Sequence, residues 1–207
     1  MGLLKDAKSI ADRDPAARST LEVILLYPGF KALLYHKISS FFYRHKLFFL
    51  ARYTSQKCSR KTGIEIHPGA SIGRGLFIDH GMGVVIGETA VVGDNVLLYQ
   101  GVTLGGTGIR KGKRHPTVGD NVVIGAGAKV LGDIKIGDNS YIGANAVVIK
   151  DVPPNSTVVG VPGRITRQDG KKIDVSLDHI HILDPLVESI EALQKRIEQL
   201  EKDRKTN

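Results

Sequence analysis

Two histidines each stand beside a charged side chain in an irregular, glycine-containing stretch: Asp79-His80-Gly81-Met82-Gly83 and, further on, Gly112-Lys113-Arg114-His115-Pro116. Imidazole exchanges a proton near neutral pH, so a histidine held where a regular pattern breaks is a candidate for proton chemistry. The bland alternative is a solvated loop histidine, and residue type alone leaves both open. The other reactive residue types narrow the field. Cys58 is the single cysteine, which excludes an internal disulfide or a cysteine-rich metal site and reads as a buried or incidental thiol of a reducing cytoplasm. His67 and His80 lack the close paired spacing of histidine zinc ligands, so no metal is expected.

The elements that must position these residues are set by an internal repeat. An aliphatic residue returns every six positions at Ile66, Ile72 and Ile78. The series continues, after a shift, at Ile86, Val92, Leu98 and Leu104, and after a second shift at Val118, Ile124, Val130, Ile136, Ile142 and Val148. Glycine often follows, as at Gly73, Gly87, Gly119 and Gly125. A period of six fits neither a lone helix nor a meander of hairpins. It fits a solenoid in which each hexapeptide makes one short strand and one corner, and three strands close a triangular coil of eighteen residues. Inward aliphatic side chains then stack about 4.8 Å apart. Handedness is not in the pattern, although the general rule for parallel crossovers favours a right-handed coil.

Both histidines fall where the period fails. Ile78 and Ile86 are eight apart and Leu104 and Val118 fourteen apart, so the second break extrudes a loop over 105–117. His80 follows the third strand and His115 the seventh, which puts them at different corners, roughly 15–18 Å apart for strands of about 3.3 Å per residue. Within one chain they cannot serve one substrate; across the interface of a trimer they can meet.

On either side helices are expected. Residues 1–62 form an N-terminal helical segment, with Asp14-Pro15 as cap and first-turn residue. Its aromatic stretch from Phe41 to Leu50, interrupted by Arg44, His45 and Lys46, is far too short for a membrane span and reads as a helix packing face. Residues 63–165 form the solenoid, and 166–207 a tail whose Leu186, Ile190, Leu193, Ile197 and Leu200 predict a short heptad helix for oligomer formation or docking. No signal peptide is visible, and the cytoplasm is the expected location. The net charge of +8 calls for an acidic partner; with 6% aromatics and no nucleic-acid motif, a polyanionic small molecule suits the Lys111, Lys113, Arg114 cluster better.

The run from Gly63 to Arg164 resembles the serine acetyltransferases. The matching pieces are Ile66-His67-Pro68-Gly69-Ala70, Asp79-His80, Val85-Ile86-Gly87-Glu88-Thr89, Thr103-Leu104-Gly105-Gly106-Thr107-Gly108, Arg114-His115-Pro116, Ile124-Gly125-Ala126-Gly127-Ala128-Lys129 and Gly160-Val161-Pro162, with Arg13-Asp14-Pro15 upstream. The resemblance implies a left-handed parallel β-helix, mainly β, and transfer of acetyl from acetyl-CoA to the hydroxyl of L-serine, giving O-acetylserine for cysteine synthesis. It implies His80 as the base that a weakly nucleophilic hydroxyl requires. Glu65 stands where the family usually has the aspartate that orients that base. Asp14 and Asp79 match carboxylates that hold the substrate amino group and hydroxyl end. Arg114 and His115 match groups addressing the substrate carboxylate and the reacting end, for which a guanidinium fork is suited. Gly106, Thr107, Ala126 and Ala144 match backbone contacts to coenzyme A, with Lys129 as a phosphate partner.

A homotrimer is implied. Longer members pair trimers into a dimer of trimers, which the short helical segment here argues against. The ending Lys205-Thr206-Asn207 lacks the terminal isoleucine by which many members dock into O-acetylserine sulfhydrylase, so that complex is not expected. The nearest competing reading is a hexapeptide acetyltransferase acting on another hydroxyl acceptor, such as a sugar. A γ-type carbonic anhydrase and a non-catalytic solenoid are more distant alternatives.

Overall fold

A computed structural model describes residues 3–109 and 111–172; the heptad pattern over 186–200 lies outside the described residues. The chain starts with four helices: α1 (Leu3–Arg13), α2 (Thr20–Leu26), α3 (Pro28–Arg44) and α4 (Phe48–Thr62). Asp14-Pro15 ends the first helix rather than starting one. Pro15 disfavours helical backbone at Asp14, whose Oδ1 accepts the Ala16 N–H at 2.8 Å. The next helix starts at Thr20, because the Ser19 hydroxyl accepts the Glu22 N–H while the Glu22 carboxylate reaches back to the Arg18 N–H. The aromatic stretch is not one packing face either. A turn at 45–47 divides it between α3 and α4, and Phe41, Phe48, Phe49 and Leu50 stand exposed, Phe49 by 82%.

From Glu65 the chain winds as a three-faced solenoid. All thirteen aliphatic positions of the six-residue period fall on strands of two or three residues. The first face stacks the strands of Ile66, Ile86, Leu104, Val130 and Val148. The second stacks those of Ile72, Val92, Val118 and Ile136, and the third those of Ile78, Leu98, Ile124, Ile142 and finally Val158. Every solenoid pair is parallel and in register, for example Ile86 opposite Leu104. Such short strands offer few hydrogen bonds, so the interior column carries the stability. Each of these aliphatics except Ile72 is buried, at about 1.5–3 kcal/mol per side chain.

The corner between the second and third faces is regular. Asn95, Asn121, Asn139 and Asn155 all take positive φ there, and each amide donates to the next side chain down, ending on Asp169. α3 lies directly against the first coil: a Cβ on Gly29 would stand 2.2 Å from the Ile78 carbonyl oxygen, so only glycine permits this approach.

Candidate active site

The first break in the period forms the corner where the chain passes from the third face to the first. His80 holds φ +56 there, in the left-handed region that asparagine or glycine fills at most other such places in this fold. A bulky residue in that conformation is uncommon and points to a constraint other than folding. Its side chain is 77% exposed, with Nε2 4.0 Å from Asp79 Oδ1. The helical segment brings a second carboxylate to this corner. Tyr27 donates its hydroxyl to Asp14 Oδ2 at 2.6 Å. That bond, with burial and the negative charges of Asp14, Glu22 and Asp79, pushes the phenol up to about 12. Asp14, Tyr27 and Asp79 therefore form one acidic cluster beside His80. Tyr27 was not foreseen, since nothing in its own sequence neighbourhood points to Asp14.

Lys31, Arg60 and Lys61 line a cleft of about 430 Å³ with His80 and Met82, which sets cations on its other side. Glu65 does not reach His80. Its carboxylate lies 3.5 Å from the Arg52 guanidinium on α4, so within the single chain the expected carboxylate–histidine pair is not formed.

The second break lies at the corner between the first and second faces, and its histidine is the opposite in kind. His115 is only 7% exposed. Its ring fills the space a side chain would need at Gly87, where a Cβ would come within 2.1 Å of Nε2. Thr89 holds the ring's other edge, its N–H and hydroxyl lying 3.2 and 2.9 Å from Nδ1. Burial and the neighbouring Arg114 push this imidazole below its usual range. Arg114 is bonded through its guanidinium to Glu88, and Tyr43 of α3 donates to the other Glu88 oxygen at 3.1 Å. The Arg114 bond, followed by the one from Tyr43, holds the Glu88 carboxyl below the usual range.

The residues expected to meet coenzyme A divide between these corners. Ala126 and Ala144 follow Ile124 and Ile142, which stack under Ile78, so both lie on the His80 corner one below the other. Gly106 and Thr107 belong to the His115 corner, where Thr107 N–H donates to the Arg114 carbonyl. Lys129 lies half-buried on the outside of the first face, its ammonium bonded to the Gly101 carbonyl and the Thr103 hydroxyl, strapping adjacent coils. Among the described residues no three His, Cys, Asp or Glu side chains are grouped as metal ligands, and no helix is long and apolar enough to cross a membrane.

Comparison with known proteins identifies the family. The family model described as bacterial transferase hexapeptide (six repeats) matches residues 115–150. Serine acetyltransferase of Staphylococcus aureus strain Mu50 is 58% identical over 194 residues, 94% of this chain and 91% of that one. The crystal structure of Neisseria gonorrhoeae serine acetyltransferase in complex with serine superposes with a TM-score of 0.77 at 44% identity, over 80% of this chain and 68% of that one. That of the Brucella abortus enzyme in complex with coenzyme A gives 0.78 at 46%, over 80% and 67%.

The chain belongs to the serine acetyltransferase family. Its solenoid is accordingly the left-handed β-helix of that family, against the right-handed preference of ordinary parallel crossovers.

Proposed function

We propose that this chain transfers the acetyl group of acetyl-CoA to the hydroxyl of L-serine, forming O-acetyl-L-serine for cysteine biosynthesis, in a homotrimer whose active sites lie between subunits. The observation that carries the reading is the acidic cluster beside the base. Asp14 and Asp79 about Tyr27 suit an acceptor that brings an ammonium group next to its hydroxyl, which a sugar lacks. The solved relatives that hold serine and coenzyme A support the same pair of ligands here.

In this reading His80 accepts the serine hydroxyl proton as that oxygen attacks, and Asp79 and Asp14 hold the ammonium. When bound, acetyl-CoA supplies the electrophile, a thioester carbonyl. The stacked Ala126 and Ala144 leave a thin wall for its extended arm. A Cβ at Gly125 would stand 2.6 Å from the Ala144 nitrogen, so the backbone there admits no larger side chain. Arg114 and His115 of a neighbouring subunit meet the serine carboxylate and the reacting end. Arg114 is already paired with Glu88, so the incoming carboxylate shares or takes over that guanidinium. The helical segment 1–62, the acetyltransferase solenoid 63–165 and the tail 166–207 are then the working units, located in the cytoplasm.

The test is thiol release from acetyl-CoA with L-serine, D-serine, L-threonine and galactosides, alongside sedimentation of the particle. Activity with galactosides and none with L-serine would refute the acceptor. Full activity in a verified monomer would refute the shared site.

A further inference from the structure

The contacts of His115 fix which of its nitrogens carries the proton. Thr89 Oγ1 receives two backbone donors, the Arg114 N–H at 3.0 Å and the His115 N–H at 3.2 Å. A threonine hydroxyl has two lone pairs and one proton. With both lone pairs used, its proton points at the atom 2.9 Å away, His115 Nδ1. The Thr89 backbone N–H, 3.2 Å distant, points at the same nitrogen. Two donors converging on Nδ1 require it to be an acceptor, so the ring proton sits on Nε2. Gly87 and Gly106 flank that edge, a Cβ at Gly106 falling 3.0 Å from Nε2, and no partner among the described residues takes the Nε2 proton.

We infer that Thr89 is a positioning residue that locks His115 as a neutral Nε2–H donor, so that His115 gives a hydrogen bond to a substrate oxygen and takes no proton during the reaction. Protonation would place an N–H against two donors in a buried slot. The charged and titratable groups facing the ring act mostly in the same sense: Arg114 and Lys113 from its own loop and His67 from the corner above oppose a positive ring, and Glu88 alone favours it. The proton transfer is left to His80. The kinetic part rests on the acetyl transfer proposed above, and the tautomer does not.

The experiment is a long-range nitrogen–proton correlation spectrum of the full chain labelled with ¹⁵N-histidine, His115→Gln identifying the signal. Nδ1 is expected unprotonated and Nε2 protonated from about pH 5.5 to about 8.5. A proton on Nδ1, or ordinary titration in that window, overturns the inference whether or not the protein acetylates serine. Thr89→Val keeps the shape and removes the hydroxyl. It is expected to release the tautomer, to bring titration into the window, and to lower kcat/KM for L-serine about ten- to hundredfold, more severely at low pH. Thr89→Ser is expected to restore both. An unchanged tautomer and pH profile in Thr89→Val overturn the role of Thr89, and the wild-type spectrum decides the tautomer should that variant not fold. Absence of serine acetylation by a wild-type protein showing the expected spectrum refutes the proposed function instead.

Discussion

The two breaks in one repeat produce two unlike histidines. At the first, the ring is exposed beside Asp79 and its backbone is held in an uncommon conformation. At the second, the ring is wedged over a glycine, fastened by a threonine and pushed below the usual imidazole range by burial and Arg114. A solenoid corner can therefore present a side chain to solvent or bury it as a fixed donor, depending on what the neighbouring coils supply. The inserted two residues at His80 have no adjacent loop to bind them. The longer insertion at His115 folds back on Glu88 and Thr89 of the coil above. Under the proposed mechanism the contrast gives opposite work to residues of one type: an accessible ring moves a proton, an immobilised one orients a bond.

The strongest way to break this contrast is to remove the exposed ring. His80→Ala is expected to lower kcat by about 10²–10⁴, or about 3–5 kcal/mol of barrier, with the circular dichroism and particle size of the parent. Near-parental turnover would end its role as the base. Next is the slot itself. Gly87→Ala drives a methyl into the His115 ring, and an active-site displacement of about 1 Å is expected to cost about 100-fold in kcat/KM. Normal kinetics would mean that the ring's placement is irrelevant.

A third measurement tests the helical support of the buried corner. Tyr43 reaches Glu88 from α3, and His36 lies on the same helix, buried, with an Nδ1 that finds no partner among the described residues. Burial lowers this imidazole to about 4. The unfolded chain then binds more protons than the folded one between about pH 6.5 and about 4, so stability falls as pH drops through that window. Urea unfolding is expected to show about 2–3 kcal/mol less stability at pH 4.5 than at pH 7.5 from this residue. In His36→Phe this part of the pH dependence should be absent; an unaltered slope assigns it to other groups. The smallest effect is expected at the acidic cluster. Tyr27→Phe frees Asp14 and should raise KM for L-serine about fivefold, near 1 kcal/mol for one part-buried hydrogen bond, with kcat kept. A fall in kcat with KM unmoved would place Tyr27 in the chemistry instead.

The solenoid was legible because its cause is local and repeated: an aliphatic side chain every sixth residue has only one three-faced interior to enter. The two breaks were legible for the same reason, as was the separation of His80 and His115 onto different corners. What fastens each ring was not. Thr89 and His115 are 26 residues apart, Tyr43 and Glu88 are 45 apart, and no period links Tyr27 to Asp14. Asp14-Pro15 was misread because an aspartate before proline serves equally as a cap and as the turn that ends a helix. The stronger local signal was Ser19 with Glu22. The aromatic stretch misled because composition ignores the turn that Lys46 makes with φ +61.

A column of strands wound this way has two raw ends, each offering unpaired backbone to any other such end. Here neither is left bare. At the upstream end the Ser55 hydroxyl on α4 donates to the Ile66 carbonyl, and Gly29 of α3 lies over Ile78. Downstream, Val152 bridges to Ile136, Gly163 donates to Val147, and the antiparallel segment Arg164–Gln168 runs along Ser156–Val159. The downstream end is thus covered on all three faces, and the upstream end on the first and third by the helices that also reach the two histidine corners. Shortening the protein to its catalytic coils would convert a discrete particle into a monomer unit able to grow into fibres by stacking lid-less prisms head to tail.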